Sequence, residues 1–233
     1  MTRPHRKQDN KPGRMPWQAA AGVGLLAFLL YLPTVAYDFT FDDGVIVARN
    51  PAVQQWGQWK LIFAADYWPG THSALYRPLT ILSFAAERAI HGSGPAGFHL
   101  FNVLLHSLTS VFVLLIAAEM TGPGWGALGA ALFFAVHPIH TEVVGGVVGR
   151  AELLSSLLAL WAFWLYVRKV RANRPSRPQQ AAVAILYFLA LCAKENVIVL
   201  PVLILFWELS RSERRIAPIT RSLNSSISKG FVM

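Results

Sequence analysis

The sequence predicts an all-α, polytopic membrane helix bundle of about six spans, with an extracytoplasmic first loop. Three observations carry that expectation. Of the 233 residues, 54% are hydrophobic and only 14% are charged, whereas a soluble domain carries about a quarter charged residues. The charges are also segregated, with basic clusters lying between long apolar stretches. When those stretches are counted as spans, the basic clusters all fall on one side, which the positive-inside rule makes cytoplasmic.

The elements follow in order. About 20 apolar residues cross a bilayer core at 1.5 Å per residue. Residues 17–36 meet that length after a basic stretch, 1–16, which is expected to be a cytoplasmic tail. The apolar run exceeds the about 7–15 residues of a signal-peptide core, so it reads as a retained first span. Residues 38–97 are acidic, aromatic and interrupted by Pro and Gly, and read as the outer loop. Residues 98–120 form a second span, broken by Thr121-Gly122-Pro123-Gly124. Residues 125–138 are apolar but short, and 151–168 form a further span before a basic, Pro-rich linker at 169–180. The run 181–209 is interrupted by Lys194-Glu195-Asn196. An ion pair at mid-bilayer is costly, so the run divides into two helices, 181–193 and 196–209, meeting at the membrane surface. The membrane domain then covers 17–210. Residues 211–233, rich in Ser and without apolar periodicity, are expected to be a disordered or aberrant cytoplasmic tail.

Starting inside, six spans return the chain to the cytoplasm after each pair. Three basic clusters then share the inner side: Arg3 to Arg14, Arg168 to Arg177, and Arg211 to Lys229. The formal net charge of +9 has its explanation in these flanks, not in nucleic-acid binding. Every other unusual polar residue falls on the outer side. The single cysteine, Cys192, forms no disulfide framework and no zinc pattern.

The outer polar residues carry the chemistry. Asp42 and Asp43 read as a coupled acid pair suited to a general base or to a divalent cation, or as an Asp-Gly turn with Gly44. Arg77 can grip a phosphate through both guanidinium edges, or anchor to membrane lipid headgroups beside Tyr76. His99, Asn102 and His106 are three and four residues apart and share one helix face, for a ligand or for interhelical hydrogen bonds. His137, His140 and Glu142 have an H-x-x-H-x-E spacing, which is not the H-E-x-x-H zincin motif. The better reading is a cluster of donors and one acceptor in a wet pocket. Glu152 suits a helix start electrostatically, whereas Arg150 opposes it, which points to an anion bound there. Lys194 and Glu195 read as a loop, or as a phosphate-holding cation with its orienting carboxylate. Together the groups fit a polyprenyl-phosphate sugar donor, whose leaving phosphate needs cations while a carboxylate deprotonates an acceptor hydroxyl.

Several of these residues fall into a recognisable order: Phe41-Asp42-Asp43, Asn50-Pro51, Tyr76-Arg77-Pro78, Phe98-His99-Leu100-Phe101-Asn102, His137-Pro138-Ile139-His140-Thr141-Glu142, Gly149-Arg150-Ala151-Glu152 and Lys194-Glu195. That order resembles the amino-terminal portion of the transmembrane and tetratricopeptide-repeat O-mannosyltransferase family, in the GT-C glycosyltransferase superfamily. The resemblance runs from residue 15 to about 210. It implies a GT-C-like fold and transfer of a sugar, mannose in the eukaryotic relatives, from a polyprenyl phosphate to protein Ser or Thr hydroxyls at the extracytoplasmic face. It places the family's acidic pair at Asp42 and Asp43, with the base role at Asp42 first. It assigns donor or acceptor contacts to His137, His140, Glu142, Arg150, Glu152, Lys194 and Glu195. Against the family's length, the membrane domain is expected to be incomplete, and no repeat of about 34 residues is present. A composition rich in Ala, Gly, Arg and Trp suggests a bacterial inner membrane. Two other readings stay open: a truncated, non-enzymatic membrane scaffold, and a transporter using buried charges.

Overall fold

The computed structural model describes residues 17–64, 66–71, 73–171 and 176–210, and among them the chain is helical, with connecting turns and no strand. The basic stretch 1–16, part of the linker and the tail 211–233 lie outside the described residues, together with the expectations placed on them. The chain divides into two units, one up to Val197 and one from Ile198. The described part of the second is the end of a tight turn, 198–199, and a helix, 200–210.

Among the described residues, three segments are long and apolar enough to cross a membrane: Trp17–Ala36, Pro95–Thr121 and Val147–Lys169. The first is helix α1 (Trp17–Tyr31) with a tighter turn, Leu32–Ala36, begun by Pro33. The second is α5 (Pro95–Thr121), which starts at a proline and ends where Gly122 takes φ 93°. The third is α8 (Arg150–Arg171) with the turn Val147–Gly149 before it. Large apolar side chains point outward, Leu29 at 56% and Phe133 at 68% exposure among them. Water would penalise such a surface, whereas lipid does not. The chain is therefore a membrane protein.

Three of the expected spans are shorter than a bilayer core. Helix α6 (Trp125–Val136) has 12 residues, a rise of about 18 Å. Helix α9 (Arg177–Ala193) has 17 residues, a rise of about 26 Å against a core of about 30 Å. The described part of the last helix, 200–210, is shorter again. The expected break at Lys194 is present: α9 stops at Ala193, Lys194 is extended, and a tight turn, Glu195–Val199, follows.

Residues 38–97 depart most from the sequence reading. They fold as short helices around a core of their own instead of forming an irregular loop. A wide turn, Gly44–Ala48, is followed by α2 (Pro51–Gln54), α3 (Trp59–Ala64) and α4 (Pro78–His91). Asn50 starts α2 by accepting the Ala52 N–H at 2.9 Å, the usual way to satisfy a free helix-end donor. Ile46, Val47, Val53, Ile62, Ile81 and Phe84 close over one another and over Phe98 of α5. This cap holds one wall of the site. The opposite wall is α7 (His140–Gly145) and the start of α8.

Candidate functional site

A cavity of about 880 Å³ opens between these walls, lined by residues of the 37–46 segment, Tyr67, Trp68, Arg77, the 141–149 segment and Glu152. The acid pair lies on its edge, and the structure separates the two carboxylates. Asp43 is fully buried. Its Oδ2 accepts from the Thr40 N–H at 3.0 Å and from the Thr40 hydroxyl at 3.4 Å. Its Oδ1 accepts from the Val148 N–H at 2.9 Å, which joins the two walls. Asp42 is exposed and lines the cavity, and among the described residues its carboxylate holds no hydrogen bond or ion pair. Phe41, just before it, takes φ 42° and is 98% exposed. A bulky residue avoids that left-handed conformation, so the Asp43 bonds hold the turn in a strained form with Asp42 at its tip.

Arg77 is the cation on the same lining. Its Nε and terminal nitrogen donate to the two oxygens of Glu195 at 3.0 and 2.6 Å. Its guanidinium lies 4.7 Å from the centre of the Tyr67 ring, a cation–π contact. The side chain of Arg77 is 11% exposed and that of Glu195 57%. The hydrogen bond from Arg77 holds the Glu195 carboxyl below its ordinary value, while burial pushes the Tyr67 phenol up. Beside this pair, Lys194 is ion-paired with Glu152. The break that presents Lys194 and Glu195 is pinned by Thr80, whose hydroxyl donates to the Ala193 carbonyl at 2.9 Å.

Arg150, expected to hold an anion, is elsewhere. It is fully buried and does not line the cavity. Its Nε donates to Asn102 Oδ1 at 2.6 Å and a terminal nitrogen to the Phe98 carbonyl at 2.9 Å. The same guanidinium is ion-paired with Glu87 at 2.8 Å and lies over the Phe84 and Phe101 rings. With its donors held in this way, Arg150 presents no face to a ligand. Burial pushes the Glu87 carboxyl up, against the pull of Arg150.

The histidines divide from the carboxylates as well. His99 and His106 are buried and do not line this cavity. His106 Nε2 lies 3.2 Å from the Ala135 carbonyl, and its ring lies 4.9 Å from that of His140 and 5.8 Å from that of Phe134. His137 Nδ1 accepts the Ile139 N–H at 3.2 Å. Burial, then the neighbouring His137, hold the His140 imidazole below its ordinary value. From the H-x-x-H-x-E string only Glu142 reaches the cavity, with Thr141 beside it. Among the described residues no group of three or more His, Cys, Asp or Glu side chains is placed to hold a metal ion. The H-x-x-H-x-E spacing failed to predict this arrangement because Pro138 ends α6 and lets α7 start in a new direction.

Sequence reasoning missed Glu87, Tyr67 and Gly149. Glu87 carried a signal: with Thr80 and Phe84 it repeats at helical spacing along one face of α4. Gly149 is required by close approach, since an added Cβ would lie 1.9 Å from the Val143 carbonyl oxygen. A second cavity of about 450 Å³, with Asn50, Asp66 and Thr71 on its lining, shares Trp68 with the first.

No family model matches the sequence, and no solved structure matches it. Similar proteins are known. The chain is 40% identical over 142 residues to protein O-mannosyl-transferase Tmtc2 of Drosophila melanogaster, a match of 58% of this chain and 15% of that protein. It is 40% identical over 141 residues to human protein O-mannosyl-transferase TMTC2, covering 58% of this chain and 17% of the relative. Human protein O-mannosyl-transferase TMTC4 is 37% identical over 164 residues, 62% of this chain and 22% of the relative. The chain thus spans less than a quarter of the curated relatives it matches. These relatives carry the name of the O-mannosyltransferase family that the motif order resembles.

Proposed function

We propose, starting from that relationship, that this chain carries the catalytic face of a GT-C-type glycosyltransferase. It moves a sugar, mannose on the precedent of the relatives' names, from a polyprenyl-phosphate donor to a protein Ser or Thr hydroxyl. The observation that carries the proposal is an open carboxylate and a guanidinium on the lining of one cavity: Asp42 and Arg77 both line it.

The chemistry follows from the groups present. Asp42 takes the proton from the acceptor hydroxyl as the oxygen attacks the anomeric carbon. The bond from that carbon to the phosphate oxygen breaks, and the phosphate leaves with the electron pair. Arg77 neutralises the developing charge, releasing the exposed Glu195 as it does so. Lys194, exchanging Glu152 for the phosphate, adds a second cation. Asp43 shapes the turn and transfers no proton. The isoprenoid chain lies in lipid, and six spans cross the bilayer, the short ones shielded by neighbouring protein. The amino terminus is then cytoplasmic, in a bacterial inner membrane, and the cavity faces outward.

The test is transfer of label from polyprenyl-phosphate-mannose to protein in proteoliposomes holding this chain. Transfer that falls about 10²–10⁴-fold in Asp42→Asn, as loss of a general base does, supports the proposal. An inserted, folded chain with no transfer leaves the scaffold reading. Chelation by EDTA in the same assay decides whether a divalent cation at Asp42 and Asp43 takes part.

A further inference from the structure

The buried Arg150 has no contact with the cavity, yet a continuous set of hydrogen bonds runs from it to the acid turn. Glu87 holds one edge of its guanidinium at 2.8 Å, and Asn102 Oδ1 accepts its Nε at 2.6 Å. That bond fixes the amide orientation of Asn102, because only the oxygen can accept. The amide nitrogen is thereby aimed at the Gly146 and Val147 carbonyls, at 2.9 and 3.3 Å. The turn so held presents the Val148 N–H to Asp43 at 2.9 Å, and Asp43 gathers Thr40 and the strained Phe41 around itself. Gly149 closes the turn tightly against Val143, where no side chain fits. Asn102, Asp43 and Arg150 are all fully buried, so each link sits where an unmade hydrogen bond is most costly.

We propose that Arg150 and Asn102 are positioning residues for Asp42, acting through the 146–149 turn and Asp43. The role of the pair is to set the acid turn, not to meet an anion. This rests on the proposed reaction for its consequence in rate, but not for its geometry. An Arg is suited to the task because its planar fork donates to Asn102 and Phe98 at fixed angles while its charge faces Glu87, which a lysine does not reproduce.

Two measurements on the full chain in lipid nanodiscs test it. The first is amide hydrogen exchange, with the Thr40 and Val148 N–H groups as reporters. Asn102→Asp keeps an acceptor for Arg150 but removes the donor to Gly146 and Val147. Exchange on the order of tenfold faster at Val148 and Thr40, with α5 and α8 amides unchanged, is expected. Arg150→Lys, which keeps a charge opposite Glu87, should give a smaller change of the same pattern. The second is sugar transfer, where Asn102→Asp should lower kcat on the order of 100-fold with the donor KM unchanged, as misplacement of a reacting group does. Val148 and Thr40 amides that keep their protection in both variants would overturn the proposal. So would a general loss of protection across α5 and α8, which marks a merely structural residue. A native chain that transfers no sugar defeats the proposed reaction alone, since the exchange result stands without it.

Discussion

Between α1, α5 and α6 the contact is made by small side chains: Val23 and Ala27 meet Leu114, Ala127, Ala131 and Ala135. Gly24 sharpens the approach, since a Cβ there would lie 3.2 Å from Val111. Where α4, α5 and α8 meet, the joint is instead a buried guanidinium held by a carboxylate, an amide and a carbonyl. The first region gains from close van der Waals fit, the force available between helices in lipid. It offers many nearly equivalent sliding positions. The second pairs its buried charges in one arrangement and is costly in any other, so it fixes register. A bundle built only of the first kind would hold together without defining where Asp42 points.

The contrast can be broken at either end. The largest effect is expected from Arg150→Met, which strands a buried carboxylate. It should lower unfolding stability by about 3–5 kcal/mol, and Glu87→Gln in the same chain should restore much of that. Denaturant titration in mild detergent measures both. On the small-residue side, Ala131→Leu forces α1 and α6 apart and should cost about 1–3 kcal/mol, with no change in the exchange of Val148. The smallest effect belongs to the half-open pair at the cavity mouth. Glu195→Gln should change stability by about 0–1 kcal/mol, and only at neutral pH. The Glu195 carboxyl is held below its ordinary value, so its contribution is present above the unfolded value and disappears as pH falls through the folded one. Parallel melts of the native chain and Glu195→Gln at neutral and acidic pH check the sign.

Much of the scaffold was legible because it is written in runs. Residues 17–36, the apolar stretch from 98 and the stretch from 151 announce three helices by length alone, and Lys194-Glu195 announces a break. The cavity carboxylates Asp42, Glu142 and Glu152 and the cation Arg77 were found by residue type. The role of Arg150 was not legible. An arginine at a helix start looks the same whether it meets a phosphate or a buried glutamate, and its partner Glu87 lay in a region read as loop. The His99, Asn102 and His106 stripe was correctly placed on one helix face. What that face meets depends on Ala135, Gly146 and Arg150, which belong to other elements and carry no spacing rule.

The charge on the cavity wall has a kinetic consequence. Asp38, Asp42, Asp43, Glu142 and Glu152 line it against the single guanidinium of Arg77. At long range a lipid phosphate approaches a surface of its own sign, and attraction begins only at contact with Arg77 and with Lys194, which is paired with Glu152. Added electrolyte weakens the distant repulsion first, because screening at 0.15 M acts beyond about 8 Å. Donor capture, read as kcat/KM, should therefore rise as ionic strength climbs from about 0.01 to about 0.15 M, the reverse of what a positively lined phosphate site gives.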